Sequence, residues 1–245
     1  MTRPSDPAVP GTTGLLREAR LSRAALDSNL STLVSGQDLD SIVVDVRADG
    51  YGHGLVAMVA AAVDHGILKF RISPGITLAA GLTEVTDEGD SESELAAYGF
   101  TARAHQPAPN PVLSLVGGVV AVKTVPAQSG VSYGYTYRTE VASRLALVGL
   151  GYADGLPRLG SNRAHAMIGG EPVVVAGRIA MDQFVLDLGD RVASVGDSVT
   201  VWGAAASGAA SLTEWSRVSR RSPADLTTGL GSRIHRRWIE KAESE

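Results

Sequence analysis

A glycine-punctuated loop with polar side chains follows an apolar run near the start of the chain. The run Ile42–Val46 ends at Arg47, and the loop continues through Tyr51 and His53. Residues 55–66 are then apolar at almost every position. This order predicts a buried strand, a functional loop and a helix. Because ligand chemistry in parallel α/β proteins collects after the carboxyl ends of the strands, Tyr51 and His53 are candidates for contact with a ligand.

The alternative is a glycine-rich connection between a strand and a helix that binds no ligand. Glycines stand at positions 50, 52 and 54. Glycine lets the backbone approach a ligand closely, and it also permits tight turns that have no ligand. The spacing of these residues leaves both interpretations open.

The segment Arg47-Ala48-Asp49-Gly50-Tyr51-Gly52-His53-Gly54 resembles the cofactor-lysine signature of the alanine racemases, which are pyridoxal-phosphate enzymes. In that family the strand ends in a lysine, followed by Ala, Asp or Asn, a small residue and Tyr-Gly-His-Gly. This chain matches throughout, except that Arg47 stands at the position of the lysine. A guanidinium cannot form an imine with the cofactor, because it stays protonated and its lone pairs are delocalised.

Residues 112–238 resemble the C-terminal β-domain of the same family, and three motifs carry the resemblance. Val131-Ser132-Tyr133-Gly134 is similar to the segment of the catalytic tyrosine, which the family's partner subunit contributes. Gly151-Tyr152-Ala153-Asp154-Gly155 is similar to the segment that lines the substrate entrance. Gly177-Arg178-Ile179-Ala180-Met181-Asp182 is similar to the segment whose methionine backbone N–H holds the substrate carboxylate.

The resemblance implies roles for particular residues. Tyr133 would be an acid/base group and Arg47 would occupy the other catalytic position. Tyr51 would hold the cofactor phosphate, and Arg71 would face the pyridine nitrogen. Substrate binding would fall to the residues of the last two motifs, Tyr152 and Met181. For both β-domain tyrosines, the alternative is an ordinary half-buried aromatic of a β-sheet.

The resemblance also implies a fold, an α/β region followed by an all-β region. The family's N-terminal domain is a (β/α)8 barrel of typically ~250 residues, but only about residues 36–100 are available for it here. We therefore expect a truncated remnant of that barrel, followed by a C-terminal β-domain of the alanine racemase type. Two strands cannot close such a barrel, because closure links strand number, tilt and shear.

The composition shifts along the chain predict its domain organisation. Residues 1–14 are expected to form a disordered tail, and residues 15–100 the N-terminal barrel remnant. Residues 101–111 contain three prolines and are expected to form an extended connector. Residues 112–245 then form the β-domain.

Helices and strands are predicted from apolar spacing and turn signals. Ser22 is expected to cap a helix that ends near Val34. The other predicted helices cover residues 55–66 and 212–220, and the predicted strands cover 15–21, 42–47, 67–72, 112–125, 144–150, 171–175, 184–188, 198–201 and 234–240. The short strands of the second half, separated by glycine-rich turns, suggest a β-sandwich or a small barrel.

Composition excludes several classes of function. The chain has no cysteine, which excludes disulfides and thiolate metal sites and fits a cytoplasmic location. A formal net charge of -4 gives no reason to expect nucleic acid as a partner. No run approaches the ~20 apolar residues that cross a bilayer, so neither a membrane nor a metal is expected.

Two hypotheses follow for the function. In the first, the chain interconverts L- and D-alanine with pyridoxal phosphate, as a homodimeric isomerase of D-alanine biosynthesis. In the second, it is a non-catalytic remnant that dimerises or binds a small ligand. The arginine at position 47 favours an impaired or inactive protein, with no covalently attached cofactor. Lys69 is the sole conceivable substitute for the missing lysine, because Lys123 lies in the β-domain and Lys241 in the tail.

Overall fold

The fold is taken from a computed structural model, which describes residues 16–86, 94–100, 110–203 and 210–240. The predicted tail 1–14 and most of the predicted connector 101–111 lie outside these ranges. The helices are α1 (Arg23–Val34), α2 (Leu55–Asp64), α3 (Leu212–Ser219) and α4 (Pro223–Thr228). The strands are β1 (Arg17–Ser22), β2 (Val43–Asp45), β3 (Lys69–Arg71), β4 (Thr83–Glu84), β5 (Leu113–Val125), β6 (Gly130–Val131), β7 (Tyr137–Arg138), β8 (Ser143–Val148), β9 (His165–Ile168), β10 (Glu171–Val174), β11 (Phe184–Gly189), β12 (Ser198–Trp202) and β13 (His235–Ile239).

The first region is a small parallel sheet in the order β2-β3-β4. Helix α1 begins where the sequence predicts, since Ser22 Oγ accepts a hydrogen bond from the N–H of Ala25 at 3.1 Å. Helices α1 and α2 share an apolar core with the sheet, which includes Leu30, Val44 and Phe70 at 0% exposure. Three parallel strands are thus present in the described residues, where a complete barrel has eight.

The second region is a β-barrel with one long shared strand. Strands β10, β9, β12, β5, β8 and β11 are paired in that order, and all these pairs are antiparallel. A bridge between Val175 and Leu186 joins the end of β10 to β11 and closes the ring. Of the two predicted architectures, the structure therefore shows the small barrel.

Strand β1 lies in the sheet of the second region, although the sequence places residues 15–22 with the first. It pairs antiparallel with β5 and parallel with β13. The sequence could not reveal this, because alternation along a strand does not identify its partner. The division at 15–100, 101–111 and 112–245 therefore stays a proposal, and β1 connects its two larger parts.

A buried asparagine of α1 fixes the junction between the two regions. Asn29 is 5% exposed, and its Nδ2 donates to the carbonyls of Ala97 and Asn110 at 3.1 and 2.8 Å. Its Oδ1 accepts from the N–H of Asn110 at 3.2 Å. Phe100 and Trp238 pack against the cores of both regions, which continues the contact between them.

The fold class predicted from the sequence is confirmed, with a shortened barrel followed by a β-domain. Strands β4, β6, β7 and β9 and helix α4 were not predicted, because each is only two to six residues long. In the described ranges, no helix combines the length and apolar character needed to cross a bilayer.

Candidate active site

Arg47 lies two residues beyond Asp45, the last residue of β2, and forms a close ion pair with it. Its Nη2 lies 2.5 Å from Asp45 Oδ2, and its Nε lies 3.0 Å from both carboxylate oxygens. The backbone N–H of Arg47 also donates to Asp45 Oδ1 at 3.0 Å. The Asp45 side chain is 1% exposed and that of Arg47 is 48% exposed. The position that the resemblance gives to the cofactor lysine is therefore occupied by one half of a fixed ion pair.

Tyr51 joins this pair through its hydroxyl, which donates to Asp45 Oδ2 at 2.7 Å. Burial and the bond to the Asp45 carboxylate raise the pKa of Tyr51 to about 12. Burial alone would raise the pKa of Asp45, but the hydrogen bonds from Arg47 and Tyr51 outweigh it, and the net pKa is lowered. Asp45 is thus ionised at neutral pH, with a cation and a hydroxyl directed at it.

The loop between β2 and α2 is a turn of left-handed helix. Ala48, Asp49, Gly50 and Tyr51 have φ between 49 and 58°, and three of them are not glycine. Left-handed backbone costs a non-glycine residue about 1–2 kcal/mol, so other contacts must hold the loop. Asp49 supplies one, because its Oδ1 accepts the N–H of Leu55 at 2.8 Å and caps α2.

His53 lies inside the loop, and the expectation that it presents a polar group to a ligand is wrong. The residue is 2% exposed and packs edge-on against Tyr98 and Phe100, at 4.9 and 5.7 Å between ring centroids. Its Nδ1 lies 3.0 Å from the carbonyl of Gly50 and 3.1 Å from that of Tyr51. Burial lowers the pKa of His53 to about 4, so the ring is neutral and supports the left-handed turn.

Arg71 lies opposite Asp45 in the register of β2 and β3. Its Nε and Nη2 donate to the two carboxylate oxygens of Glu94, each at 2.9 Å. Both side chains are at most 10% exposed. A guanidinium with a bidentate carboxylate partner is already neutralised, which favours a structural role for Arg71 over contact with a cofactor.

Lys69 lies at the other end of the small sheet. It pairs with Val43, the first residue of β2, and its Nζ donates to the carbonyl of Asp40 at 2.5 Å. Asp45 and Arg47 lie at the opposite end of the same strand. This position argues against Lys69 as a substitute for the missing cofactor lysine.

The three motifs of the β-domain form one cluster of loops. Gly177 packs against Ser132, since a Cβ at position 177 would lie 2.6 Å from the Ser132 Cβ. The Ser132 hydroxyl donates to the carbonyl of Arg178 at 2.6 Å. Tyr133, the next residue, is 80% exposed. The structure thus places Tyr133 beside the motif that contains Met181, with its ring directed outward.

Tyr152 and Met181 lie on neighbouring backbone segments. The N–H of Tyr152 donates to Ala180 O at 3.0 Å, and the N–H of Ala153 donates to Met181 O at 2.9 Å. Tyr152 is 39% exposed and Met181 is 54% exposed. The structure therefore brings these two candidate substrate residues together, and their role in substrate binding stays a prediction.

A salt bridge fastens the two segments. Arg233 pairs with Asp154 at 3.0 Å and with Asp182 at 2.7 Å, so it links the turn after Tyr152 to the residue after Met181. Asp154 is fully buried, and its Oδ2 accepts the N–H of Gly151 at 2.8 Å. The shape of this loop cluster is therefore set by the β-domain alone.

Residues 227–231 connect the loop cluster to the left-handed turn. A Cβ at Gly52 would lie 2.7 Å from Thr227 O, and Arg236 Nε donates to Gly52 O at 3.0 Å. On the other side, the N–H of Gly231 donates to Asp154 O at 3.0 Å. Contacts through residues 227–231 therefore link the two groups of candidate residues.

Sequence analysis missed three residues of the site, which are Asp45, Glu94 and Tyr98. Tyr98 is fully buried, and its hydroxyl donates to the backbone carbonyl of Asp45 at 2.6 Å. The one available signal was Asp45, an acidic residue inside an apolar strand. A buried carboxylate requires a partner, and an arginine stands two residues later in the sequence.

The residues around position 47 do not fit covalently bound pyridoxal phosphate. Covalent attachment needs a neutral amine, and position 47 offers a guanidinium that is bound to Asp45. The hydroxyl of Tyr51 is also directed at Asp45. No step of a reaction is therefore assigned to this cofactor on this chain. Among the described residues, no group of three or more His, Cys, Asp or Glu side chains is placed to hold a metal ion.

Comparison with known proteins agrees with this architecture. Residues 112–238 match the family described as alanine racemase, C-terminal domain. The alanine racemase of Salinispora tropica is 40% identical over 139 residues, which are 56% of this chain and 37% of that protein. The alanine racemase of Thermobifida fusca is 32% identical over 175 residues, or 69% of this chain and 47% of that protein. The chain thus matches less than half of the length of these relatives.

Solved structures show the same fold. The alanine racemase of Streptomyces lavendulae superposes with a TM-score of 0.79 at 22% identity, covering 95% of this chain and 99% of that chain. The alanine racemase of Bartonella henselae, solved with covalently bound pyridoxal phosphate, has a TM-score of 0.72 at 16% identity, covering 91% and 99%. The family match spans more than half of this chain, and the three motifs lie within it. The chain belongs to the alanine racemase family.

Proposed function

We propose that this chain is an alanine racemase-type protein that does not racemise amino acids, and that it persists as a self-associating module. The observation that carries the proposal is the ion pair between Arg47 and Asp45 at the end of β2. Racemisation needs two acid/base groups on opposite faces of the substrate. In the family these are the cofactor lysine and a tyrosine, and here the lysine position holds a guanidinium that cannot accept a proton near neutral pH.

The shortened barrel supports the same conclusion. In the described residues its sheet has three strands, and Arg71 and Glu94 form a buried ion pair on β3 and beside it. A site at the mouth of a barrel depends on loops from several strands. With few strands, few loops are available to surround a substrate, whatever residue stands at position 47.

Self-association is proposed from the exposed loop cluster. Its large side chains Tyr133, Tyr135 and Met181 are 80, 66 and 54% exposed. Large apolar and aromatic side chains that are exposed together mark interaction surfaces more often than free surface. The family resemblance implies that a partner subunit receives the tyrosine, so a second copy of this chain is the proposed partner. A cytoplasmic location stays an expectation from composition.

The test is an assay for racemisation with the purified chain. L-Alanine and pyridoxal phosphate are supplied, and D-alanine is measured against the alanine racemase of Thermobifida fusca as the positive control. We expect no D-alanine above the background of free cofactor. Turnover by the chain that depends on Tyr133, lost in Tyr133→Phe, would overturn the proposal.

A second measurement tests self-association. Light scattering after size exclusion should give the mass of a dimer for the wild-type chain. Replacing two exposed residues of the loop cluster with charges, as Tyr133→Glu and Met181→Glu, should give the mass of a monomer. A matched control is Val192→Glu, which alters an 80% exposed apolar residue outside the cluster.

A further inference from the structure

The Asp45 carboxylate contacts the backbone and the side chain of Arg47 and the side chain of Tyr51. It accepts from the backbone N–H, Nε and Nη2 of Arg47 and from the hydroxyl of Tyr51, at 2.5–3.0 Å. The side chain is 1% exposed. Because the backbone N–H of Arg47 is itself bonded to Asp45 Oδ1, the carboxylate lies beside the start of any side chain at position 47.

A cation beside a buried carboxylate is held in its charged form. An opposite charge within ~4–6 Å favours the protonated state of an amine. Only a neutral amine attacks an aldehyde. Asp45 would therefore act on a lysine at position 47 as it acts on Arg47, by holding it protonated and turned toward the strand. The other charged or titratable groups facing this point are Arg71, across the sheet, Tyr51, and Tyr98, whose hydroxyl donates to Asp45 O.

We infer that Asp45 is a positioning residue that closes this site independently of Arg47, so that lysine restored at position 47 alone stays unreactive toward an aldehyde cofactor. The inference rests on the proposed function, in which the wild-type chain carries no covalent cofactor. It adds that Arg47 and Asp45 each prevent covalent attachment of the cofactor, and that the Tyr51 hydroxyl is bound to the Asp45 carboxylate.

The experiment compares Arg47→Lys with the double variant Asp45→Asn/Arg47→Lys. Each folded protein is incubated with stoichiometric pyridoxal phosphate and reduced with borohydride. Mass spectrometry of its peptides then measures the rate of pyridoxyl attachment at position 47 across a range of pH. Asparagine preserves the size of the side chain and its oxygen can still accept the Tyr51 hydroxyl, so the pair differs in charge and in one NH2 donor that replaces an acceptor oxygen. Attachment does not require a complete barrel or any turnover.

We expect attachment at position 47 to be at least tenfold faster in the double variant at pH 7.5, with a pH midpoint lower than in the single variant. Lys123 is exposed on β5, so its rate of modification measures the general reactivity of the reagent. Lys69 donates to Asp40 O, so its rate of modification rises when the fold loosens. If Lys69 also reacts faster, the double variant has loosened, and Asp45→Val/Arg47→Lys replaces it. Equal rates and equal midpoints at position 47 would overturn the inference. Covalent cofactor on the wild-type chain would instead overturn the proposed function.

Discussion

The two regions of this protein differ in the side chains that they bury. The β-domain closes a ring of six strands around an apolar core that contains Phe184, Trp202 and Trp215. The barrel remnant also has an apolar core, between its sheet and helices. It differs in that Asp45 and Arg71, the last residues of β2 and β3, are buried charged residues, together with Glu94. The closed ring surrounds apolar groups, whereas the open sheet of the remnant adds paired charges at the ends of its strands.

The difference shows which contacts shape each half of the candidate site. The loop cluster of Tyr133, Tyr152 and Met181 is shaped by contacts within the β-domain, such as the pairs of Arg233 with Asp154 and Asp182. The loop of Arg47 is shaped by the ion pair between Arg47 and Asp45. The two halves of the site therefore depend on different ion pairs.

The largest losses of stability are expected when one buried phenylalanine in the core of each region is replaced by alanine. Phe70→Ala in the remnant and Phe184→Ala in the β-domain each remove a ring that is at most 1% exposed, and each should cost about 3–5 kcal/mol. Hydrogen exchange should locate the loss in β2 and β3 for the first variant and in β8 and β11 for the second. Equal loss across both regions in either variant would mean that they unfold as one unit.

Breaking the buried pair of the remnant should cost nearly as much. Arg71→Met leaves the carboxylate of Glu94 buried without its cation, which should lower the free energy of unfolding by about 3 kcal/mol. The double variant Arg71→Met/Glu94→Leu should recover most of that loss, because it leaves no charge unpaired. Urea unfolding of the three proteins gives both values. A cost below about 1 kcal/mol in the single variant would show that Arg71 is free to face a ligand.

Acid should weaken the remnant through His53. Its pKa is about 4 in the folded chain and 6.5 in the ordinary state, so the unfolded chain binds the proton first as the pH falls. The contribution of neutral His53 to the free energy of unfolding is fully present above pH 6.5. About 3 kcal/mol of it is lost between pH 6.5 and 4. The difference in unfolding free energy between wild type and His53→Leu, measured from pH 7.5 to 4, isolates this loss. A difference that stays constant with pH would contradict a buried neutral ring.

The smallest effect is expected at Tyr133. Its side chain is 80% exposed, so Tyr133→Ala should change the unfolding free energy of the monomer by less than about 0.5 kcal/mol. A chemical unfolding curve at low protein concentration checks this. A larger loss in the monomer would mean that Tyr133 is a structural aromatic, as the alternative interpretation of the sequence allowed.

Much of the fold could be predicted from the sequence, for reasons visible in particular elements. Helix α3 followed from Leu212, Trp215 and Val218 on one side, and all three are buried. The cap at Ser22 followed from its type and position. The partners of β1 could not be predicted, because pairing between residues about 100 or 200 positions apart leaves no local signal.

The sequence identified candidate residues of the site but not their interactions. The family motifs named Tyr152 and Met181 as substrate residues; the structure places them on neighbouring backbone segments, and their roles stay a prediction. His53 was misplaced, because a histidine in a glycine-rich loop can point to solvent or to the core. The ion pairs of Asp45 and Glu94 depend on side chains that meet only after folding.

At the end of β2, this chain offers a guanidinium and no amine for a covalent cofactor. The most direct measurement is the intact mass of the wild-type chain after incubation with one equivalent of pyridoxal phosphate and reduction by borohydride. We expect the treated wild-type chain to have the same mass as the untreated chain. One pyridoxyl group per chain, located on a single lysine, would contradict this expectation.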